Sequence, residues 1–552
     1  MKKIDSFFIF VIGGVMSGIG KGVTVASTAR ILKDYGFKVT AVKIDPYLNV
    51  DAGTMNPTEH GEVFVTEDGM ECDQDIGNYE RFLDENILKD NYMTSGSVYR
   101  EVINRERDLV YEGKCVQIIP HITDEIENRL LNVASKTNAD FVLIEIGGTA
   151  GEYENLLFLE TARIMKLKMP GKILFMLVSY LPIPQNLGEM KTKPTQHAVR
   201  ALNYAGIQPD IIIARSSRPL DAVRKNKISL FCNVSPEAVI SAPDIESIYE
   251  VPVNFEKDNL GKIILKKFGL KPKKQNSKEW NKLVKKIKTV KKPVKVGIVG
   301  KYFGIGDFIL ADSYISVIEA IKHASWHLNL KPEIYWLNAE EFEKHPKKLN
   351  TLENYDAIIV PGGFGSRGVE GKILTINYVR KHNIPFLGLC YGMQLAVVEF
   401  SRNVCGLKNA HTTEVNPKTP HPVISTLPEQ LNRVLNHKDL GGTMRLGAYV
   451  CELNPQSKSF SLYKTKLITE RHRHRYEVNN NYLNILKKKG LLIAGINPDR
   501  NLVEIIELPN HPYFVGTQFH PEFKSRPLHP HPLFIGLIKS AKERGERRDS
   551  NP

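Results

Sequence analysis

The stretch that decides the fold of the first half is residues 7–22, Phe-Phe-Ile-Phe-Val-Ile-Gly-Gly-Val-Met-Ser-Gly-Ile-Gly-Lys-Gly. Its first six residues are apolar and predict a buried strand, and an alanine-rich segment with helical spacing follows the glycines. A glycine-rich turn between strand and helix presents backbone N–H groups at the positive end of the helix, where phosphate binds. Lys21 adds a positive charge at the same place. These residues therefore predict a nucleotide-phosphate loop on an α/β sheet.

This loop departs from the strict phosphate-loop pattern at two positions. Val15 stands where that pattern has glycine, and Gly22 replaces the serine or threonine that normally contacts magnesium. The alternative is that the glycines form only a tight turn between strand and helix. If the loop does bind nucleotide, carboxylates that hold magnesium must come from another part of the chain.

Two stretches offer such carboxylates. One is the acidic turn Glu67–Asp75, in which Asp75 is a candidate, and the other is Glu145 at the end of an apolar strand. An acidic residue in that position lies at the edge where α/β proteins bind ligands, although either stretch could also be a solvated loop. A further segment, Lys191–His197, has two lysines, two hydroxyl groups and an amide, which suits a second polyphosphate or an exposed turn.

Apolar runs alternate with helix-like segments, which is typical of a parallel sheet covered on both faces. In the first half the predicted strands are Phe7–Ile12, Lys38–Ile44, Cys115–Ile119, Phe141–Ile146, Ile173–Val178 and Ile211–Ala214. The pattern begins again in the second half, where the predicted strands are Val294–Val299, Ala357–Val360, Ile384–Leu389, Leu502–Glu507 and Tyr513–Phe519.

We therefore predict two α/β domains, at residues 1–268 and 294–544, joined by a basic linker at 269–293. A charged tail at 545–552, which we expect to be frayed, completes the chain. At ~100–200 residues per domain, the length of 552 residues agrees with two large domains or with more numerous small ones.

The second half contains a cysteine between glycines, in Gly388-Leu389-Cys390-Tyr391-Gly392 after a predicted strand. This is the cysteine form of the nucleophile elbow, in which helix N–H groups favour the thiolate. About 130 residues further on, His520 and Glu522 could supply the base and its orienting acid. Pro361–Gly365 follows another strand and could offer backbone donors for an oxyanion. Cys390 alone could be a small buried residue, but together these features predict a thiol hydrolase site.

The composition excludes several classes of protein. With 42% hydrophobic and 25% charged residues, the chain is too apolar to be disordered. No apolar run approaches the ~20 residues of a membrane span, so we expect no membrane partner. Six cysteines without a CxxC pair exclude a disulfide scaffold and a zinc ribbon, and they fit a reducing cytoplasm.

The net charge of +14 is concentrated in one place. Residues 262–292 contain 13 lysines and a single acidic residue, so the rest of the chain is nearly neutral. Ser277–Val290 predicts an amphipathic helix that ends before Pro293 and has its apolar stripe docked on one domain. That stripe consists of Trp280, Leu283, Val284 and Ile287. With one aromatic residue and no arginine in residues 269–293, we expect a solvated linker and no nucleic-acid partner.

The cysteine, histidine and glycine motifs of the second half resemble class I glutamine amidotransferase domains. Longer motifs narrow this resemblance to the CTP synthase family over about residues 4–543: they are Asp45-Pro46-Tyr47, His60–Val65, Gln117–His121, Glu145–Thr149, Lys191–His197, Gly441–Gly447 and Arg471–Glu477. The resemblance implies a phosphate-loop-like parallel-sheet synthetase (amidoligase) domain and a class I glutamine amidotransferase α/β domain. It also implies a cytoplasmic enzyme of pyrimidine biosynthesis.

The resemblance implies that UTP is aminated to CTP with ATP and glutamine as the other substrates. ATP phosphorylates O4 of the uracil ring, and ammonia from glutamine displaces that phosphate at C4. By position, Lys43 assists the transferred phosphoryl group, and Asp75 and Glu145 hold Mg²⁺. The implied ATP contacts are Gly18, Ile19, Gly20, Lys21, Gly22, Asp75, Asp244 and Ile245.

The remaining implied sites are those of the pyrimidine nucleotide and glutamine. The UTP site, which overlaps that of the inhibitor CTP, matches Ser17, Glu152, Tyr153, Glu154, Lys191, Thr192, Lys193, Pro194, Thr195, Gln196 and Lys227. The glutamine pocket matches Gly363, Tyr391, Gly392, Met393, Gln394, Glu414 and Arg475. The catalytic triad matches Cys390, His520 and Glu522.

Three positions differ from the family pattern. Glu152 stands where aspartate is expected, Tyr391 stands where leucine is common, and Tyr302–Ser313 is longer than usual, near the place of the activator GTP. The resemblance also implies a homotetramer. Two other functions stay open on the residues alone: an amidoligase that aminates a cofactor acid, and a non-enzymatic nucleotide switch. The lysines of Lys191–Gln196 argue against the first, and the triad argues against the second.

Overall fold

The computed structural model describes residues 5–186, 188–301, 311–426 and 442–550. Most of the long segment 302–313 and Gly441 of the glycine motif therefore lie outside the described residues. The described residues form two compact units. The first comprises Met1–Ala52 and Asp75–Lys285, and the second comprises Gly53–Gln74 and Lys286–Pro552. A segment of the first half of the sequence thus belongs to the second unit.

A parallel sheet of seven strands forms the centre of the first unit. In spatial order its strands are Tyr92–Thr94, Val39–Asp45, Phe141–Ile146, Phe7–Gly14, Ile173–Tyr180, Ile211–Ser216 and Val239–Pro243. In the central strand, Phe8, Ile9, Phe10 and Val11 are all buried, which confirms a sheet covered on both faces.

Helices pack on this sheet and complete the core. Helices Thr123–Thr137, Leu156–Lys168 and Lys193–Tyr204 contribute buried side chains to the same apolar cluster as Phe8 and Phe10. The other helices of this unit are Lys21–Asp34, Asp75–Leu83, Ser95–Arg107, Ala222–Cys232, Val251–Lys257 and Leu260–Lys267, with 3₁₀ turns at Lys89–Asn91, Pro236–Ala238 and Ile248–Glu250.

Five of the six strands predicted in the first half are confirmed, and the sixth is wrong. Cys115–Ile119 contains no strand, and a short π-helical turn spans Ile118–Ile122. Ile118 and Ile119 are exposed, so this apolar run is not a core strand. Pro120 also lacks the N–H group that a central strand needs for its ladder.

The predicted linker helix is present at Lys278–Thr289. Its Trp280 side chain is buried in the first unit, where its indole N–H donates to the Tyr249 carbonyl at 2.9 Å. The Trp280 ring also packs against Phe82, with centroids 5.2 Å apart, and the Arg30 guanidinium lies over it. Trp280, Leu283 and Val284 are buried and belong to the first unit, which confirms this part of the predicted stripe, whereas Ile287 is half-buried and belongs to the second unit.

A mixed sheet of nine strands forms the second unit. Its first five strands are parallel: Lys331–Asn338, Pro293–Gly300, Ala357–Val360, Phe386–Leu389 and Phe514–Thr517. The antiparallel remainder is Leu502–Glu507, Leu492–Asn497, Arg445–Leu453 and the edge strand Leu467–His474. The five strands predicted for this half are confirmed, and the other four strands of this sheet were not predicted.

Smaller elements complete the second unit. A three-stranded sheet contains His411–Thr412, Pro422–Thr426 and Tyr476–Val478, and a two-stranded one contains Val63–Val65 and Glu71–Asp73. The helices are Pro57–His60, Ile315–His327, Ala339–Lys344, Val369–Lys381, Tyr391–Asn403, Lys458–Tyr463, Leu483–Lys488 and Pro532–Ser550, with 3₁₀ turns at Ala311–Tyr314, Pro346–Asn354, Asn480–Tyr482 and Pro521–Lys524.

The last helix extends through most of the charged tail, which we expected to be frayed. It reaches Ser550, and Arg548 pairs with Asp356 at 2.8 Å. Among the helices within the described ranges, none is long and apolar enough to cross a bilayer.

Candidate active sites

The predicted phosphate loop connects the central strand Phe7–Gly14 to the helix that begins at Lys21. Val15 has a φ of 84°, a left-handed conformation that β-branched residues rarely adopt. Lys21 is buried, and its ammonium donates to the Gly148 carbonyl at 2.9 Å, next to the loop. Burial lowers the pKa of Lys21 below its usual range, against the raising effect of Glu145. A lysine held without a full shell of water in this way is suited to an incoming anion.

Lys43, Asp75 and Glu145 meet beside this loop. The Lys43 ammonium lies 2.5 Å from Asp75 Oδ2 and 3.0 Å from Glu145 Oε1. The Tyr79 hydroxyl donates to the other oxygen of Glu145. Burial raises the pKa of Glu145 and the nearby Asp75 charge raises it further, while Lys43 opposes both. Two carboxylates that converge on one cation form a set of hard oxygen donors that fits Mg²⁺.

The structure also explains the missing hydroxyl of the loop. A Cβ atom at Gly22 would lie 1.9 Å from Asp75 Oδ1 and 2.5 Å from its Cγ. The Asp75 carboxylate therefore occupies the space where the serine or threonine of a standard phosphate loop would stand. Only glycine at position 22 allows the Asp75 carboxylate to approach the loop this closely.

Two glutamates of the acidic turn that precedes Asp75 are held by arginines of the second unit. Glu67 pairs with Arg471 at 2.8 Å, and Glu71 pairs with Arg473 at 2.8 Å, all within the second unit. Asp75 pairs with Lys43 within the first unit. Asp75 therefore stays the candidate magnesium ligand of this turn, while arginines far along the chain engage Glu67 and Glu71.

The residues matched to the UTP site are partly buried and partly exposed. Thr195 and Gln196 are buried: the Thr195 hydroxyl accepts from Ser179, and Gln196 donates to Thr192. These contacts hold the first turn of helix Lys193–Tyr204 against the sheet. Exposed members of the set are Ser17, Glu152, Tyr153, Glu154, Lys193 and Lys227.

Glu152, which stands where aspartate is expected, binds its own loop. Its two carboxylate oxygens accept from the Thr149 N–H at 2.9 Å and from the Thr149 hydroxyl at 2.7 Å. Lys191 in turn pairs with Glu189 at 2.7 Å. A nucleotide that uses either charge must compete with these existing partners.

Sequence reasoning missed Arg215 at the end of strand Ile211–Ser216. Its Nε lies 3.9 Å from the position of a Cβ on Gly20, and its guanidinium pairs with Asp244 at 3.0 Å. Arg215 thus connects Asp244, a predicted ATP contact, to the phosphate loop. Glu145 was predicted because it is a charged residue at the end of an apolar strand. Arg215 has the same position in its own strand, so the same reasoning would have identified it.

The cysteine elbow has the predicted geometry. Cys390 follows strand Phe386–Leu389 and precedes helix Tyr391–Asn403, and its φ of 49° places it in the left-handed region. A Cβ on Gly392 would lie 2.0 Å from the Val360 carbonyl oxygen, so only glycine fits there. The turn holds a buried thiol at the amino end of a helix, where partial positive charge stabilises an anion.

Cys390, His520 and Glu522 are brought together. His520 Nδ1 lies 2.7 Å from Glu522 Oε1, and a Cβ on Gly362 would lie 3.0 Å from His520 Cε1 and 3.8 Å from Cys390 Cβ. Within the described residues, the buried His520 Nε2 has no hydrogen-bond partner, which leaves it available to the thiol proton. Burial alone would lower the pKa of His520, but the charges of Glu522 and Cys390 together raise it to about 10.

Two residues that sequence reasoning did not assign contact the thiol. The Gln518 side-chain amide donates to Cys390 Sγ at 3.7 Å, and the thiol donates to the Arg473 carbonyl at 3.8 Å. Gln394 donates to the Gln518 side-chain oxygen at 3.3 Å, which orients the Gln518 amide. Gln518 stands two residues before His520 in the sequence, and this position is the feature from which its role could have been predicted.

The triad opens into a cavity of about 500 Å³ in the second unit. Of the residues matched to the glutamine pocket, the cavity lining includes Gly363, Tyr391, Gln394, Glu414 and Arg475. Glutamate and arginine in one cavity suit the ammonium and carboxylate of a free amino acid. Gly53–Gln74 completes the wall through Gly53, Thr54, Met55, Glu62 and Val63, which sequence reasoning had not placed there.

Two predicted pocket residues are placed differently. Gly392 packs under the elbow, and the Met393 side chain is fully buried in the core. Neither lines the cavity. Tyr391, which departs from the family pattern, donates its hydroxyl hydrogen to the Gly365 carbonyl at 3.1 Å and so supports the predicted oxyanion turn.

A cysteine, histidine and glutamate arranged in this way at the end of a parallel strand define a class I glutamine amidotransferase. Residues 309–540 match the family model "Glutamine amidotransferase class-I", and residues 7–270 match "CTP synthase N-terminus". The chain is 52% identical to the CTP synthase of Pyrococcus abyssi over 545 residues, 98% of this chain and 99% of that protein. It is 50% identical to the CTP synthase of Picosynechococcus sp. over 536 residues, 97% of this chain and 95% of that protein.

The chain belongs to the CTP synthase family and is a glutamine-hydrolysing, ATP-dependent C–N ligase. A solved structure of the Trypanosoma brucei CTPS glutaminase domain with bound acivicin is 35% identical, covers 45% of this chain and 94% of that chain, and has a TM-score of 0.41. The two family models and the curated CTP synthases that this chain matches favour CTP synthesis over amination of a cofactor acid.

Proposed function

We propose that this chain converts UTP to CTP through a 4-phosphorylated UTP intermediate, with ammonia supplied by glutamine hydrolysis at Cys390. The observation that carries the proposal is the presence of two clusters of side chains on one chain, each suited to one of these reactions. One is the Lys43–Asp75–Glu145 cluster beside the phosphate loop, and the other is the Cys390–His520–Glu522 triad.

At the thiol centre, His520 takes the proton of Cys390 and the sulfur attacks the side-chain amide carbon of glutamine. The oxyanion that forms lies beside the backbone N–H groups of the Gly362–Gly365 turn. His520 then gives the proton to the leaving ammonia, and water hydrolyses the thioester to glutamate. Glu522 stabilises the imidazolium that exists between these two proton transfers.

At the phosphate centre, O4 of UTP attacks the γ-phosphorus of ATP, and ADP leaves. Ammonia then adds at C4 and expels the phosphate. Lys21 and Lys43 supply positive charge to the transferred group, and Asp75 and Glu145 would hold Mg²⁺, whose charge would neutralise the phosphate oxygens. We assign ATP to Gly18–Gly22, Asp244 and Ile245, and UTP or CTP to Ser17, Glu152–Glu154, Lys191–Gln196 and Lys227.

We further propose a cytoplasmic homotetramer that is activated by GTP. The tetramer is supported by large apolar side chains on the surface of the first unit, whose exposure in an isolated chain is costly. These include Ile103, Leu109, Val110, Ile118, Tyr204 and Leu230. GTP activation and the cytoplasmic location rest on the family resemblance. For the domains we propose a synthetase domain at residues 1–268 and an amidotransferase domain at residues 294–544. The exception is Gly53–Gln74, which we assign to the amidotransferase unit.

The experiment that tests the function is the conversion of UTP to CTP followed by absorbance. We expect product only when ATP, Mg²⁺ and either glutamine or ammonium are present with UTP. Turnover of glutamine without any CTP from either nitrogen source would contradict the proposal.

A further inference from the structure

Residues Val63–Asp73, here called the hairpin, come from the first half of the sequence but pack on the amidotransferase unit. They lie against strand Leu467–His474, the edge strand of the nine-stranded sheet. Its only strand partner in the described structure is Arg445–Leu453, so the carbonyl groups of its outer edge are available to other segments.

The catalytic residues use this open edge. The Arg471 carbonyl accepts from the backbone N–H of His520 at 2.8 Å, and the Arg473 carbonyl accepts from the Cys390 thiol at 3.8 Å. The Thr469 carbonyl accepts from Lys524 at 2.6 Å. The carbonyls of Thr469, Arg471 and Arg473 therefore contact the catalytic residues or the turn that follows them.

The side chains of the same two arginines are held by the hairpin. Arg471 Nε lies 2.8 Å from Glu67 Oε2, and its Nη1 donates to the Val65 carbonyl at 3.2 Å. Arg473 Nε lies 2.8 Å from Glu71 Oε1. Arg471 and Glu71 are almost fully buried, so each ion pair satisfies charges that water cannot reach.

A ring stack provides a second connection. Phe64 of the hairpin packs against Phe523 with centroids 4.9 Å apart. Phe523 stacks on the imidazole of His520 at 4.9 Å, with an angle of 15° between the rings. The hairpin thus contacts the neighbours of both members of the catalytic pair.

We propose that Glu71, acting through Arg473, is a positioning residue for glutamine hydrolysis, and that the hairpin sets the distance between Cys390 and His520. This inference rests on the proposed function, since it requires Cys390 to be the nucleophile. Arg473 is held at its guanidinium by Glu71 and contacts the thiol with its carbonyl. Loss of the carboxylate leaves the largely buried Arg473 guanidinium with the neutral Gly53 carbonyl, at 3.3 Å, and without a counter-charge, so the strand must shift to bring that charge closer to water.

The first test is Glu71→Gln, which keeps the shape of the side chain and removes its charge. We expect kcat for glutamine hydrolysis to fall about 10²-fold with little change in KM, because small misplacements of reacting groups have effects of that size. CTP formation from ammonium should stay within about twofold of the parent, because it uses a separate centre. Glu71→Asp, which keeps the charge, should recover part of the lost kcat.

The matched control is Asp68→Asn, in the turn of the same hairpin. Asp68 is exposed and accepts from the Thr66 hydroxyl at 2.7 Å, so this variant removes one negative charge without breaking either arginine pair. We expect its glutamine hydrolysis to stay within about twofold of the parent, as is usual for an exposed charge.

A double-mutant cycle decides whether Glu71 acts through Arg473. If it does, Glu71→Gln with Arg473→Gln should lose no more than the worse single variant. Losses that multiply, or an unchanged kcat in Glu71→Gln, would overturn the proposal. If Glu71→Gln also loses ammonia-dependent synthesis, Glu71→Asp becomes the deciding variant. In that case, a kcat for glutamine hydrolysis in Glu71→Asp equal to that of the parent would count against the proposal. Glutamine hydrolysis that survives Cys390→Ala would instead overturn the proposed function.

Discussion

The phosphate loop and the cysteine elbow occupy equivalent places, each between the carboxyl end of a parallel strand and the start of a helix. They differ in how they are completed. The loop lacks a group that its motif requires, and Asp75 fills the space that Gly22 leaves open. The elbow has its full triad, but hairpin residues from the other half of the sequence help to hold it. An incomplete motif can therefore be completed by one residue of its own unit, while a complete triad can depend on a segment from the other half of the sequence.

The largest effect is expected from the carboxylates of the phosphate centre. Asp75→Ala or Glu145→Ala should reduce CTP formation by ~10²-fold or more, because the transferred phosphate loses the cation that these residues would hold. The loss should be equal with glutamine and with ammonium as nitrogen source. Normal ammonia-dependent turnover in either variant would mean that other residues hold the metal. The comparison between the phosphate loop and the cysteine elbow would then be wrong.

Glu522→Gln should affect only the thiol centre. We expect glutamine hydrolysis to fall by about 10²-fold, the size of a lost general acid–base contribution, with ammonia-dependent synthesis retained. A loss of both activities in folded protein would show that the two centres are not separate.

The same variant has a signature in stability. Because the pKa of His520 is raised from 6.5 to about 10, the protonated form stabilises the folded state. That stabilisation is complete below pH 6.5 and disappears as the pH rises toward 10. In thermal unfolding, the parent should therefore be more stable than Glu522→Gln by the largest margin at pH 6 and by the smallest margin at pH 10. A difference in thermal stability between the two proteins that grows with pH would contradict the assignment of Glu522 as the partner of His520.

Gly22→Ser sharpens the comparison, since it restores the hydroxyl of a standard phosphate loop. Its Cβ would lie 1.9 Å from Asp75 Oδ1, so the carboxylate must move away. We expect about a tenfold loss of synthesis from either nitrogen source, a fraction of the effect of removing Asp75 itself. An active Gly22→Ser enzyme would mean that the position of Asp75 is not critical.

The smallest effect is expected in the basic linker. Changing Lys271, Lys273, Lys274 and Lys278 together to serine should leave UTP-to-CTP turnover within about twofold, because exposed ion pairs contribute little. The pair of Lys273 with Asp140, at 2.8 Å, is of that kind. Binding of DNA or RNA at physiological salt that the variant loses would make the linker a functional site instead.

Sequence reasoning succeeded where the signal is local. Buried parallel strands such as Phe141–Ile146 are continuous apolar runs, and the triad follows from two short motifs. It failed where burial depends on distant partners. Strand Leu467–His474 contains arginines and histidines that resemble a surface segment, and they are buried because Glu67 and Glu71 neutralise the arginines. Cys115–Ile119 is the opposite case, an apolar run that the fold leaves exposed.

The central claim is that one chain contains two separable centres, one that releases ammonia and one that uses it. The most direct test is Cys390→Ala, assayed for CTP formation with glutamine and, at raised pH, with ammonium. We predict that glutamine-dependent synthesis is abolished, while ammonia-dependent synthesis stays within about twofold of the parent because the centres are independent. Loss of both activities in a correctly folded variant, or continued use of glutamine, would contradict the account.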